Sequence, residues 1–246
     1  MVLTSAGAAR VTVEILVKLL GIPETPVQPG LITDIAVTAG IVVASDLGFF
    51  VSHYLQHRIP LLWEFHKVHH SAEVLHPVTA YRSHPVDEAI KMTIVGSGIG
   101  VVLGLSAYLV GQPVEGVTVL GVNVLVLIYS VAGAHLRHSH VWLSYGPLDR
   151  VFVSPAMHQI HHSCESRHSD KNLGGMFTIW DRLAGTLYLP HAQETLPLGL
   201  HSEEHREYTS VLRLYLLPFA KIARRVGAAA QKKVGRASQE QTRTDP

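Results

Sequence analysis

The chain has 246 residues, 47% of them hydrophobic and only 16% charged, with a formal net charge of +1. That balance excludes a nucleic-acid binder, which would carry a basic face, and the positive mean hydropathy points to a membrane protein rather than a cytosolic enzyme. The single cysteine, Cys164, excludes an internal disulfide, a thiolate zinc finger and a cysteine-ligated iron–sulfur cluster. Any metal must then be held by imidazole and oxygen, which makes the 17 histidines the leading feature of the composition.

In chain order, residues 11–24, VTVEILVKLLGIPE, carry Glu14 and Lys18 in an apolar stretch closed by Pro23. They read as an interfacial or packing helix within an N-terminal segment, 1–30, that lacks a secretory signal pattern. Three later stretches, 31–52, 92–111 and 116–134, are apolar and reach the ~20 residues a helix needs to cross a bilayer. The last two carry no charge and are separated by QPVE, so they read as a helical hairpin; buried core helices of a soluble protein are the alternative. With the N-terminal helix the count is three or four spans. GSGIG at 96–100 falls inside a span rather than after a strand, so close helix packing explains it better than dinucleotide binding. Alternation of polar and apolar residues is nowhere sustained enough to predict strands.

Arg58, Lys67, Arg82, Lys91, Arg137 and Arg150 flank the near ends of the spans, and the turn of the hairpin has no Lys or Arg. The positive-inside bias therefore places the near ends, and the histidines beside them, in the cytoplasm. A C-terminal segment, 191–246, contains six basic and no acidic residues between Lys221 and Arg236. It reads as a basic amphipathic surface segment, followed by a tail, 237–246, expected to be disordered. The expected fold class is all-α: an integral membrane helical bundle with a histidine-rich helical cap on the cytoplasmic side.

Four histidine groups sit beside the spans: HYLQH (His53, His57), HKVHH (His66, His69, His70), HLRHSH (His135, His138, His140) and HQIHH (His158, His161, His162). Residues three and four apart share a helix face, so each group can aim two or three imidazoles at one point. Imidazole suits iron, zinc, copper and nickel, whereas magnesium and calcium want oxygen. One zinc is satisfied by about four ligands, so this many histidines imply two metals. HSEEH at 201–205 has similar spacing in a polar, acidic stretch and reads as a solvated loop. His76, His168 and His191 stay ambiguous, and Cys164 reads as a bystander. A metal-transport protein would place ionisable groups inside its spans, yet 92–111 and 116–134 have none. A zinc hydrolase would want a general base such as the Glu of HExxH, which is absent.

The ordered series DLGFFVSHYLQHRIPLLWEFHKVHHS, TAYRSHPVDE, RHSHV, SPAMHQIHHS, DKNLGG and WDRLAGT resembles the fatty acid hydroxylase and sterol desaturase superfamily. The resemblance spans about Asp46 to Thr186 and makes 31–190 a membrane catalytic domain. It implies two iron ions held by His53, His57, His66, His69, His70, His138, His158, His161 and His162, with no catalytic residue beyond these ligands. His84, His135 and His140 are further candidates for the metal or its surroundings; His140 stands where asparagine is usual. Asp46, Glu88, Asp170, Asn172 and Asp181 are candidates for orienting imidazoles, a service metal-bound histidines need. In WDRLAGT alanine stands where phenylalanine is usual, a change expected to alter packing alone. The resemblance further implies O2-dependent hydroxylation or desaturation of a membrane lipid. Electrons would come from a separate donor, a ferredoxin or a cytochrome with its reductase. Compact length and the absence of a retrieval signal favour a bacterial inner membrane.

Overall fold

Glycines set how the long helices pack. The computed structural model describes residues 1–114, 118–119, 122–129 and 133–244. Helix α4 (Pro85–Val110) carries Gly96, Gly100 and Gly104 at four-residue spacing, and α1 (Val2–Leu20) lies against that stripe. A Cβ at Gly100 would sit 2.6 Å from Ala8 Cβ, and one at Gly104 would sit 2.7 Å from Thr12 Cβ, so only glycine permits the approach. Helix α2 (Leu31–Arg58) meets α4 in the same way: a Cβ at Gly48 would lie 2.9 Å from Val95 Cα, and one at Gly40 2.9 Å from Val102 Cγ1. As the α2 number falls from 48 to 40 the α4 number rises from 95 to 102, so the two run antiparallel. In lipid such contacts rely on small residues because no hydrophobic force drives helices together.

Outward-facing side chains of α2 and α4 are apolar and exposed, among them Val43, Leu47 and Val51 on α2 and Val101, Leu105 and Leu109 on α4. Water would not tolerate a belt of that extent and lipid would. Among the described residues these two helices are long and apolar enough to cross a membrane. The third expected span, 116–134, falls partly outside the described residues. What is described there is a two-residue antiparallel pair, β1 (Thr118–Val119) with β2 (Val122–Asn123), followed by the short helices α5 (Val124–Ile128) and α6 (Ala134–Arg137). Asn123 starts α5 by accepting from Leu125 N and Val126 N, a local side-chain cap that a continuous span would not contain.

The remaining elements form a polar cap at one end of the two long helices. Pro60 opens α3 (Pro60–His70) directly after α2, since proline is tolerated at the first helical position. Helix α7 (Pro155–His161) is capped by Ser154 and fully buried, and α8 (Ile179–Ala184) ends in left-handed Gly185. Helix α9 (Val211–Thr244) continues through most of the stretch expected to be disordered; residues 237–244 contain no proline or glycine to stop it. Its first turns strap α3: the wholly buried Glu64 carboxylate accepts from Lys67 Nζ at 3.1 Å and pairs with Arg225 Nε at 2.7 Å.

Gly100→Leu is expected to lower the stability of the purified protein by about 1–3 kcal/mol, the usual cost of overpacking. Thermal melts in detergent would show it, and an unchanged midpoint would refute the close approach of α1 to α4.

Candidate metal centre

Four helices deliver histidine to the cap. The last two turns of α2 supply His53 and His57, α3 supplies His66, His69 and His70, the end of α6 supplies His138, and α7 with its C-terminal residue supplies His158, His161 and His162. Their ring nitrogens converge in two sets. His53, His57, His66, His70 and His161 form one; His69, His138, His158 and His162 form the other; within each set one nitrogen per ring lies within 4.8 Å of all the rest. Two nitrogens on one ion are at most about 4.2 Å apart, twice a metal–imidazole bond of ~2.1 Å. Each set is therefore close to the size that one ion demands.

The second nitrogen of most rings is tied down. His53 Nδ1 donates to Leu173 O at 2.8 Å, His69 Nδ1 to Arg82 O at 3.2 Å, His138 Nδ1 to Ala134 O at 2.7 Å and His161 Nδ1 to Lys171 O at 2.9 Å. Carboxylates hold two more: Asp87 faces His66 Nδ1 and Asp170 faces His57 Nδ1, each at 3.2 Å. A carbonyl or carboxylate only accepts, so the proton sits on Nδ1 and Nε2 is left as a bare lone pair.

Those lone pairs then face one another. His69 Nε2 and His138 Nε2 are 3.1 Å apart in one set, and His53 Nε2 and His66 Nε2 are 3.1 Å apart in the other. Two unprotonated nitrogens at that distance repel unless a cation lies between them. Elsewhere Nε2 of His57, His70 and His161 is buried with no hydrogen-bond partner, a cost that native structures rarely leave unmet. Protonation is a poor remedy. Burial first, and neighbouring imidazoles second, hold His69, His158 and His162 well below the ordinary histidine value. Burial likewise brings His138 down to about 4 and His161 to about 3. Purely imidazole donors, arranged in two sets, fit two borderline transition-metal ions such as ferrous iron.

The other candidates lie outside both sets. His84 caps α4, its Nδ1 accepting from Val86 N while its Nε2 donates to Tyr215 O at 3.1 Å, so both nitrogens are in use. His135 pairs with Tyr81 Oη at 2.9 Å, and His140 is exposed. Cys164 lies in neither set. Of the five polar candidates only Asp170 touches an imidazole. Glu88 pairs with Lys91, while the adjacent Asp87 orients His66; the acidic pair was visible in HPVDE, but helix register decided which member turns inward.

Asp46, Asn172 and Asp181 act through the backbone instead. Asp46 accepts from Phe177 N and Trp180 Nε1, and Asp181 accepts from Leu173 N and Gly174 N. Asn172 donates to Met157 O and accepts from Tyr188 N. Together they hold the loop whose carbonyls at Lys171 and Leu173 orient His161 and His53. Asp170 and Asn172 take left-handed backbone, φ 56° and 54°, which Asp and Asn tolerate best after glycine. That double reversal turns the Lys171 carbonyl inward between them. Gly174 and Gly175 follow because a Cβ at either would come within 2.7 Å of a carboxylate oxygen, of Asp181 and Asp46 respectively.

A helical chain with two apolar spans and a cap of converging imidazoles belongs to a narrow class. The family model described as fatty acid hydroxylase matches residues 38–186, more than half of the chain, and the chain belongs to that family. It is 30% identical over 164 residues to the ornithine lipid hydroxylase OlsE of Rhizobium tropici, covering 67% of this chain and 45% of that protein. It is 28% identical to the alkylglycerol monooxygenase of Danio rerio (69% and 34%) and 30% identical to human cholesterol 25-hydroxylase (58% and 47%). The chain thus spans less than half the length of these relatives. No solved structure matches it.

Two outcomes are expected of this centre. Asp87→Asn should weaken metal binding about 10- to 100-fold, the usual cost of losing a partner that orients a ligand; titration with ferrous iron would show it, and wild-type affinity would remove Asp87 from the centre. The metal-free protein should lose stability on acidification. Unfolded histidine takes up a proton near pH 6.5, and the folded ring does so only near 4 for His138 and 3 for His161. Between those limits the unfolded state binds more protons, so stability falls as pH falls. Melting midpoints that stay level between about pH 7 and about pH 5 would contradict the burial of neutral rings.

Proposed function

We propose that this protein is a di-iron, O2-dependent lipid hydroxylase. The observation that carries the reading is the pair of facing Nε2 lone pairs in each histidine set, which calls for one cation per set. His53, His57, His66, His70 and His161 would hold one ion; His69, His138, His158 and His162 would hold the other. When bound, iron supplies the reductive activation of O2 that breaks an unactivated C–H bond, the step protein side chains cannot perform alone. One oxygen atom enters the C–H bond and the other leaves as water, using two electrons and two protons from a separate donor. Hydroxylation is preferred to desaturation because ornithine lipid hydroxylase, alkylglycerol monooxygenase and cholesterol 25-hydroxylase are all named for oxygen insertion.

The chain's own residues contribute position and exclusion. The Nδ1 anchors hold each ring in one tautomer and one orientation, so little reorganisation is needed when metal binds. Buried α7 and residues 172–175 cover part of the centre on the cap side. A cavity of about 120 Å³ reaches His57, His70 and His161 there, past Trp63 and Asp170. Trp63 packs 4.9 Å from the His57 ring and 5.3 Å from His70, which makes this the side on which a ferredoxin or cytochrome would deliver electrons. We take that side as cytoplasmic and the helices as lying in a bacterial inner membrane, a reading that the basic flanks of the spans support.

Elemental analysis of the detergent-purified protein should find about two iron atoms per chain, at roughly four nitrogen ligands per ion. His69→Ala and His161→Ala, one from each set, should each lose iron and bring hydroxylation of a lipid extract to background. Oxygen from isotopically labelled O2 should appear in the wild-type product. A single zinc supporting hydrolysis without O2, or full activity in either variant, would sink the reading.

A further inference from the structure

The space beside the histidines holds two adjacent cavities of different character. The larger, about 230 Å³, runs between α2 and α4 and is walled by Val42, Met92, Val95, Ile99 and Val126. Val42 precedes His53 by three helical turns, which places it about 16 Å deeper along α2 at 1.5 Å per residue. Met92 is half exposed on the outer face of α4, so the cavity communicates with the lipid side. The carboxylate of Asp46 also borders it, but its oxygens are taken up by the Met176 and Phe177 amides and the Trp180 indole.

The smaller cavity, about 110 Å³, touches His53, His66, His69, His138 and His158, and its remaining walls include Gln56, Ser83, Glu88 and Arg137. Phe49 and Lys91 line both cavities. Phe49 stands one turn before His53 with its ring edge-on to that imidazole at 5.4 Å, and the Arg137 guanidinium lies over the same Phe49 ring, 5.7 Å from its centre. Lys91 bonds Glu88 at 2.6 Å at the same junction. The boundary between hydrocarbon and polar surroundings therefore falls at Phe49 and Lys91, immediately before the metal-facing nitrogens.

We propose that the substrate is a polar lipid bound with its hydrocarbon tail in the α2–α4 cavity and its head group in the histidine chamber. The oxidised C–H bond then belongs to the head group or to the chain carbons next to it, and Phe49 sets how far the lipid advances. The inference rests on the lipid hydroxylase reading and adds an orientation to it. An alkyl terminus in the chamber would set hydrocarbon against the Gln56 amide, the Lys91–Glu88 ion pair and the Arg137 guanidinium, whose buried Nε has no hydrogen-bond partner, a costly arrangement. A head group carrying hydroxyl, ester or amide oxygens can accept from Arg137 Nε instead. The tail meanwhile meets a mainly aliphatic and aromatic lining at bilayer depth, interrupted by the Ser45 and Tyr129 hydroxyls, Asp46 and Lys91, so the lipid needs no inversion to reach the site.

Photolabelling of the iron-loaded full chain tests this directly. The probes are two long-chain alkylglycerols, one with a diazirine at the chain terminus and one with it beside the ether oxygen. The terminal probe should label α4 peptides carrying Met92, Val95 and Ile99, and the ether-side probe should label peptides carrying Ser83 or Arg137. Val95→Trp, which fills the apolar cavity, should cut terminal labelling at least about tenfold at unchanged iron content; Ile99→Trp, farther from the histidines, serves if the first variant loses iron. Phe49→Ala should let the terminal probe reach Ser83 peptides. Reversed labelling, or no labelling of either cavity, overturns the orientation. If lipid extracts are still hydroxylated with iron present, only the orientation has failed; loss of iron and hydroxylation together in the wild type would instead remove the hydroxylase reading beneath it.

Discussion

Two imidazole nitrogens that both lack a proton cannot rest 3.1 Å apart without a positive charge between them. That repulsion, present once in each histidine set, is the constraint on which the rest of the cap depends. It exists because Nδ1 of His53, His69 and His138 is committed to a backbone carbonyl and Nδ1 of His66 to a carboxylate. Loosening any of these would let a ring change tautomer and turn the repulsion into an ordinary N–H···N hydrogen bond. The cap is thus arranged against relieving itself by proton transfer and in favour of holding a cation.

Backbone carbonyls make good anchors only if their loops cannot move. This accounts for the investment in Asp46, Asn172 and Asp181, which touch no imidazole: Asp46 and Asp181 take up amides of the 170–177 loop, and Asn172 ties the loop to Met157 O and Tyr188 N. It accounts equally for the left-handed backbone at Asp170 and Asn172, a local strain offset by the hydrogen bonds around it. Arg82 contributes similarly elsewhere: its carbonyl anchors His69, while its guanidinium reaches Val68 O, Ser71 Oγ and Tyr208 O. Polar residues that look like candidates for chemistry are here the frame around the chemistry.

The two halves of the molecule obey different solvents. Between α1, α2 and α4, glycine and alanine bring backbones together, and large apolar side chains turn outward, the arrangement suited to a hydrocarbon surrounding. In the cap the order is reversed, with polar groups packed inward against one another and each requiring a partner. The junction of these regimes lies at the C-terminal end of α2, where Phe49 and His53 are one helical turn apart. The proposed polar lipid would meet the same change of environment along its own length, from tail to head.

Much of this was readable from the residue order. Histidine spacing on short helices, the absence of competing thiolates and the charge-free stretch at 92–111 are local properties, and local properties determined the helical class, the family and which nine imidazoles come together. Other features required the folded chain. The stretch 116–134 has the hydropathy of a span, but Asn123 caps a short helix within it. Asp87 rather than Glu88 orients an imidazole because the first turn of α4 brings Asp87 to His66 Nδ1 and Glu88 to Lys91. The division of nine rings into five and four, and the carbonyls that fix their tautomers, join residues as far apart in sequence as His53 and Leu173. Spacing along one helix determines which side chains share a face; only packing between helices decides which faces meet, and so which nitrogens are left bare.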